Sequence, residues 1–395
     1  MIVLDVKGVP MNTAAIYQQL ASAVTLTSAR ALLRIVATYQ PAGGPGAKVF
    51  PPTYPTSPAN PMPYLRERRR VDGQEREDVL LDSTPSQANR AEEALLRAHR
   101  AGVVQVPILQ VEHSGETEVV LTSLEFPHRY ADAYLRDSLL EGTPFDKTDV
   151  GKAMLAASLA DATALYVHDP GSLVYGAWNS HRKGRQQKFP RVYASEVIGW
   201  DPVVGSRNAG RMDPLNLTGA QKPVKGGDTW DFSPVSTKAK GEKLSEIGHG
   251  NVAPNGQHGG VTISSAQRIA TLSLAGLDRL GFGAAPQDAA VAARALLAAY
   301  ALVADRLAFG GASLWLRSGC ELVLAGERVE WVNRGGDVEP FELSTEQAVD
   351  LFGLACEHAE KQGLPLCTET VRLTPSKALA QAIDFSLTKA SGGED

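Results

Sequence analysis

The chain has 395 residues, 43% of them hydrophobic and 21% charged, with a formal net charge of −5. This describes a globular chain of one elaborated domain or two ordinary ones, and excludes disorder, collagen and coiled coil as the whole answer. No run approaches the roughly 18 to 20 apolar residues of a membrane span and the opening MIVLDVKGVPMN lacks the regions of a signal peptide, so the protein is expected in the cytoplasm, away from membranes.

An acidic total argues against a nucleic-acid partner only if the charge is spread evenly. It is not. From Cys320 to the end there are 14 Asp and Glu against 6 Lys and Arg, a net of −8, which leaves +3 in the residues before it. Gly171 to Ser195 contains no acid, while Arg182, Lys183, Arg185, Lys188 and Arg191 crowd together beside His181, Trp178 and Phe189. A run of this kind is usually a solvated loop, but its acid-free flanks and aromatic neighbours suit an anionic partner. The three cysteines, Cys320, Cys356 and Cys367, have no CxxC spacing and are read as buried thiols.

In chain order, Arg30 to Tyr39 reads as a strand with Leu33, Ile35, Ala37 and Tyr39 on one face. Pro41 ends it, and PAGGPGAKVFPPTYP is a loop with several enforced backbone angles. T-P-S-Q at Thr84 to Gln87 predicts a helix N-terminus, with Thr84 as N-cap, Pro85 at the first helical position and Gln87 closing a capping box. Ala88, Ala91, Leu95 and Ala98 give that helix a small-residue face suited to a sheet. Val103 to Val111 and Val119 to Leu124 are predicted strands, with a turn from His113 to Glu118 between them, and Pro127 to Ser138 is a predicted short helix.

Leu173 to Trp178 and Val192 to Ile198 form a predicted hairpin with the basic run as its tip, the whole feature spanning 171–199. Residues 202–260 hold 16 Gly and Pro in 59, about double the usual share, and read as an inserted lobe. Gly260 to Leu274 returns to β-prone sequence, and Asp288 to Phe309 is the clearest helix, with Leu296, Tyr300, Val303 and Leu307 at helical spacing. Ser313 to Leu324 and Arg328 to Val332 read as a closing hairpin across Ala325 to Glu327, before an acidic amphipathic helix from Thr345 to Gln362. The fold class is α+β with interleaved strands and helices.

The usual catalytic templates fail: there is no HExxH, no GxSxG and no complete phosphate loop, and GGPGAK ending at Lys48 matches neither the spacing nor the hydroxyl of one. No metal and no cofactor is expected, because His128, His168, His249 and His258 lie singly with no carboxylate spacing to bind them. A metal-independent ribonuclease, with a histidine as general acid or base beside a basic groove, is the alternative function. Single-stranded nucleic acid is held by basic tracks, flat surfaces and glycine amides, and the chain offers candidates for each. Lys48 lies in the first glycine loop; Arg182, Lys183, Arg185, Lys188 and Arg191 form a second element; His249 and Asn251, with Gly259 and Gly260, form a third. Asn89 and Arg90, on the first turns of the capped helix, face either a phosphate or plain solvent.

Six blocks in order, PAGGPGAKVFPPTY (Pro41 to Tyr54), LLDSTPSQANRAEEALL (Leu80 to Leu96), TSLEFPHRYADAYLRDS (Thr122 to Ser138), LVYGAWNS (Leu173 to Ser180), KFPRVYASEVIG (Lys188 to Gly199) and GHGNVAPN with GGVTIS (Gly248 to Ser264), resemble the backbone subunit of type I-G (formerly I-U) CRISPR effector complexes. The resemblance implies a modified RNA-recognition (ferredoxin-like) core over 1–395, a thumb-like hairpin and inserted lobes. It also implies a scaffold, not an enzyme, in which copies stack head to tail along the CRISPR guide RNA, meet other Cascade subunits and reach target DNA through the guide. The RNA-contacting residues expected on this basis are Lys48, Asn89, Arg90, Arg182, Lys183, Arg185, Lys188, Arg191, His249 and Asn251.

Overall fold

A computed structural model describes residues 12–58, 61–115, 117–180, 187–206, 210, 212–215, 221–223, 241–243, 249, 251 and 258–391. The fold is α+β. In chain order its principal elements are α1 (Thr13–Ala23), β1 (Arg30–Pro41), β2 (Arg66–Val71), β3 (Gln74–Asp82), α2 (Thr84–Arg100), β4 (Leu109–Ser114), β5 (Glu118–Thr122), β6 (Ser138–Leu140), β7 (Thr143–Pro144), β8 (Ala177–Asn179), β9 (Gln187–Phe189) and β10 (Tyr193–Trp200). There follow β11 (Ser265–Ser273), α3 (Gln287–Phe309), β12 (Ser313–Arg317), β13 (Cys320–Asn333), β14 (Val338–Pro340), α4 (Thr345–Lys361), β15 (Val371–Pro375) and α5 (Lys377–Ser391).

Six of these, with other elements inserted between them, come in chain order as strand, helix, strand, strand, helix, strand: β1, α2, β10, β11, α3 and β13. Their strands lie in the order β13-β1-β11-β10, each antiparallel to its neighbour. The hairpin β2–β3 extends this sheet beyond β10, and β12 and β14 extend it on β13. Leu33, Ile35, Ala37 and Tyr39 of β1 stand opposite Leu272, Ala270, Arg268 and Ala266 of β11, and all but Arg268 are apolar as the period-two pattern requires. A second, five-stranded sheet has the order β5-β4-β15-β6-β7, with β15 parallel to β4 and antiparallel to β6. Nothing in the local sequence of β15 announces a partner that lies about 260 residues upstream.

α3 is apolar on nearly every side and buried along most of its length. Its alanines let α2, α1 and α4 approach it closely, so the stripe read from Leu296, Tyr300, Val303 and Leu307 is only part of its contact surface. Among the buried atoms runs a polar seam. Gln87 accepts from Ser195 Oγ at 2.6 Å and from Arg268 Nε at 3.0 Å, while Arg268, Arg306 and Tyr193 all bond the Asp305 carboxylate. Burial alone would raise the Asp305 carboxyl, but the two guanidiniums outweigh it and hold it down to about 2.

Several boundaries move for identifiable reasons. The α2 N-cap is Ser83, whose hydroxyl accepts from Ser86 N, so Gln87 is one position too far along to close a capping box and turns into the polar seam instead. The predicted strand over Val103 to Val111 begins only at Leu109, its partner ends at Thr122, and the intervening turn is shorter than His113 to Glu118. The predicted helix over Pro127 to Ser138 splits into Arg129–Ala131 and Ala133–Arg136, because Asp132 takes an extended backbone and caps the second turn. Asp169 and Pro170 cap a short helix, Pro170–Val174, where a strand from Leu173 was expected; the strand starts after Gly176, at φ +83°. The hairpin at the sheet's end turns at Gly319, not across Ala325 to Glu327, and β13 runs through those residues with a bulge between Leu324 and Gly326. Of the thiols, Cys320 is buried and the other two are half-buried.

Candidate nucleic-acid interface

The loop after β1 is tied to segments far from it in sequence. Val49 and Val261 exchange two backbone hydrogen bonds at 2.8 Å, Phe50 N donates to Gly319 O at 3.1 Å, and Gly205 N donates to Gly260 O at 2.9 Å. Tyr64 Oη accepts from Gly260 N at 2.8 Å. The Lys48 side chain is exposed, and its ammonium donates to Ser206 O at 2.9 Å. Glycines make the space for these side chains. A Cβ at Gly205 would stand 2.9 Å from Lys48 Nζ, one at Gly260 3.1 Å from Phe50 Cε1, and one at Gly319 2.6 Å from Phe50 Cδ2. Phe50, seated by two glycines, remains 37% exposed.

Beside this loop two arginines share one carboxylate. Asp82 is 1% exposed and accepts from Ser86 Oγ at 2.8 Å, Gln87 Nε2 at 2.5 Å and Arg90 Nε at 2.8 Å, with Arg317 Nη2 at 3.5 Å. Arg90 also donates to Leu316 O at 2.7 Å, and Arg317 to Phe50 O at 3.3 Å. One carboxylate against two guanidiniums leaves the group positive, and Lys48 on the same loop as Phe50 adds to it. Asn89 is exposed on the adjoining turn of α2. The Cys320 thiol at this junction is pushed up by burial, which leaves it protonated and unreactive.

The basic hairpin is β8 paired with β9, with Trp178 opposite Lys188. The Lys188 ammonium lies 5.9 Å from the centroid of the Trp178 ring, and Trp178 is 56% exposed. Arg191 is exposed just beyond. The root is rigidly anchored: Phe189 is buried edge-on to Tyr130, and Arg129 donates to Gly176 O at 3.0 Å while gripping Glu92 of α2 at 2.6 and 2.8 Å. Burial pushes the Glu92 carboxyl up to about 7 against the pull of Arg129. Arg182, Lys183 and Arg185, expected from the sequence at the hairpin tip, lie outside the described residues, as does most of the 202–260 lobe.

The structure thus divides the expected residues. Lys48 and Arg90 lie on and beside the loop after β1, and Lys188 and Arg191 in and just beyond the hairpin β8–β9. His249 and Asn251 are exposed, and Asn251 Oδ1 accepts from Asp213 N at 2.5 Å. Phe50 and Arg317 were not singled out in the sequence, since what marks them is contact with each other across a gap of 267 residues. Also missed was the arginine-rich hairpin β2–β3, although Asp72-Gly73, both with positive φ, is a strong hairpin signal. Its arginines are matched by acids: Arg69 with Asp78 at 2.7 Å, Arg70 with Glu75 at 3.1 Å, Arg76 with Asp201 at 2.6 Å and Arg66 with Glu77. It is therefore no basic surface, and its charges instead guard a sheet edge.

Among the described residues no three His, Cys, Asp or Glu gather to hold a metal ion, and no helix is long and apolar enough to cross a membrane. No curated protein matches the chain. Residues 33–203, which run from within β1 to just past β10 and include Lys48, Arg90, Lys188 and Arg191 but not Arg317, match the family described as CRISPR-associated protein GSU0053, a match that supports a CRISPR-associated protein with a role in CRISPR defence.

Proposed function

We propose that the chain is the guide-RNA-binding backbone subunit of a type I CRISPR surveillance complex, a scaffold that holds RNA and does not cut it. The observation that carries this reading is the pair Arg90 and Arg317 sharing one buried carboxylate beside the loop that carries Lys48, a loop whose close approaches only glycines permit. Cations and exposed backbone of this kind hold phosphate and ribose without reading bases, which a protein that accepts any spacer requires. The strand order β13-β1-β11-β10, with a helix after the first and third strands of the succession, is the connectivity of a ferredoxin-like, RNA-recognition core and supports the same reading. The sequence lacks the aromatic signature of the ordinary RNA-recognition module, so base stacking on the sheet is not invoked and the two basic groups take the RNA backbone. Copies of the subunit follow one another along the guide, beside other Cascade subunits, and present it to target DNA.

The test is co-expression with a guide RNA. Wild-type protein is expected at large mass with a high ratio of absorbance at 260 to 280 nm. Lys48→Glu and Lys188→Glu, both at exposed side chains, are expected to elute at lower mass with less RNA. Full RNA retention in both variants would remove the reading.

A further inference from the structure

We infer that Phe50 is a stacking platform for one unpaired nucleobase of the bound RNA, with Arg317 and Lys48 taking the adjoining phosphates. The inference rests on the RNA-binding reading above and adds a contact of a different kind to it. A phenylalanine ring that served only the core would be buried; this one is 37% exposed at the rim of the positive group. Its position is built. Gly260 and Gly319 both have positive φ, +74° and +72°, and a Cβ at either would press on the ring, at 3.1 and 2.6 Å. The two glycines press on different atoms of the ring, and the residue still keeps 37% of its surface open.

The neighbouring charges have the sign and reach that a nucleotide needs. Arg317 bonds the carbonyl of Phe50 itself at 3.3 Å, and Lys48 lies two residues back on the same extended segment, its ammonium 2.9 Å from Ser206 O. A base stacked on the exposed part of the ring has the Arg317 guanidinium and the Lys48 ammonium to meet its phosphates. Every base has a π face, so stacking holds RNA without selecting sequence, as a scaffold for arbitrary spacers must. An apolar side chain from another protein is the rival occupant, and it would derive nothing from the three cations.

The experiment measures binding of the purified subunit to a mixed-sequence single-stranded oligoribonucleotide by fluorescence anisotropy, with the same oligonucleotide carrying abasic positions as the second probe. Phe50→Leu is expected to weaken binding of the intact RNA by about 5- to 150-fold, the range for loss of one stacked base. Phe50→Tyr keeps near-wild-type affinity. Abasic substitution weakens the wild type but adds nothing further in Phe50→Leu, a coupling that a purely structural ring would not produce. Equal abasic penalties in wild type and Phe50→Leu would overturn the inference, as would loss of binding in both Phe50 variants together with a lowered melting temperature. If Phe50→Leu binds like wild type while Lys48→Glu does not, the stacking fails and the RNA-binding reading survives; if the wild type binds no RNA, both fall.

Discussion

At the scale of single residues, the chain uses glycine to set large side chains where a Cβ would exclude them. Gly44 and Gly319 both have positive φ, but a Cβ at Gly44 would meet nothing within 4 Å, whereas one at Gly319 would meet the Phe50 ring at 2.6 Å. Alanine at Gly44 should therefore cost only the left-handed backbone penalty, about 1 kcal/mol. At Gly319 the same change adds displacement of a ring, and the total is expected at about 2 to 4 kcal/mol. Thermal melts of the two variants check this, and equal shifts would mean that the ring is not seated as described. The sequence showed the loop around Lys48 to be rich in forced angles, because glycine and proline are local signals. It could not show that Arg90 turns from solvent onto Asp82, or that Phe50 and Arg317 meet. A buried carboxylate shared by two cations is a property of three segments together.

Among elements, the basic hairpin was legible as a charge pattern while its anchoring was not. Its alternation is short, and caps decide where neighbouring helices begin: Ser83 one residue before the expected cap, Asp132 inside the expected helix, and Asp169 just ahead of an expected strand. The anchor is the pair Arg129–Glu92, which joins the strand root at Gly176 to α2. Burial raises the Glu92 carboxyl from the usual 4.5 to about 7, so the folded state holds this proton more tightly than the unfolded chain. Stability from this group is accordingly greatest below about pH 4.5 and declines as pH rises toward 7, with at most about 3 kcal/mol at stake and less if Arg129 keeps the pair ionised. Urea titrations at pH 5 and pH 8 should therefore differ in that sense, and Glu92→Gln should flatten the difference. An unchanged pH slope in Glu92→Gln would assign the dependence to another group. Because the pair reaches the hairpin through one carbonyl, the variant should also loosen amide-exchange protection at Gly176 before it affects β1 or β11.

For the molecule as a whole, the uneven charge noted in the sequence acquires a location. The acidic C-terminal part includes α4, whose capping box at Ser344 and Gln347 starts the helix where the sequence placed it and whose Ala348, Leu351, Phe352 and Ala355 face inward toward α3. Asp350, Glu357 and Glu360 are left exposed on its other side, while Arg90 and Arg317 share Asp82 beside the loop that carries Lys48. A head-to-tail stack joins two different patches and extends without closing, so it is served by opposite charges on separate surfaces of one chain. If α4 supplies the acidic partner, Asp350→Lys with Glu360→Lys should shorten assemblies on a long guide while leaving the isolated subunit's affinity for a short oligoribonucleotide within about twofold, since neither residue belongs to the basic groups proposed to hold RNA. Raising salt should shorten wild-type assemblies as well, through screening of the same pairs. Mass photometry of complexes reconstituted on guides of graded length reads the outcome directly. Assemblies of unchanged length in the double variant would remove α4 from the interface and leave the acidic surface to another partner.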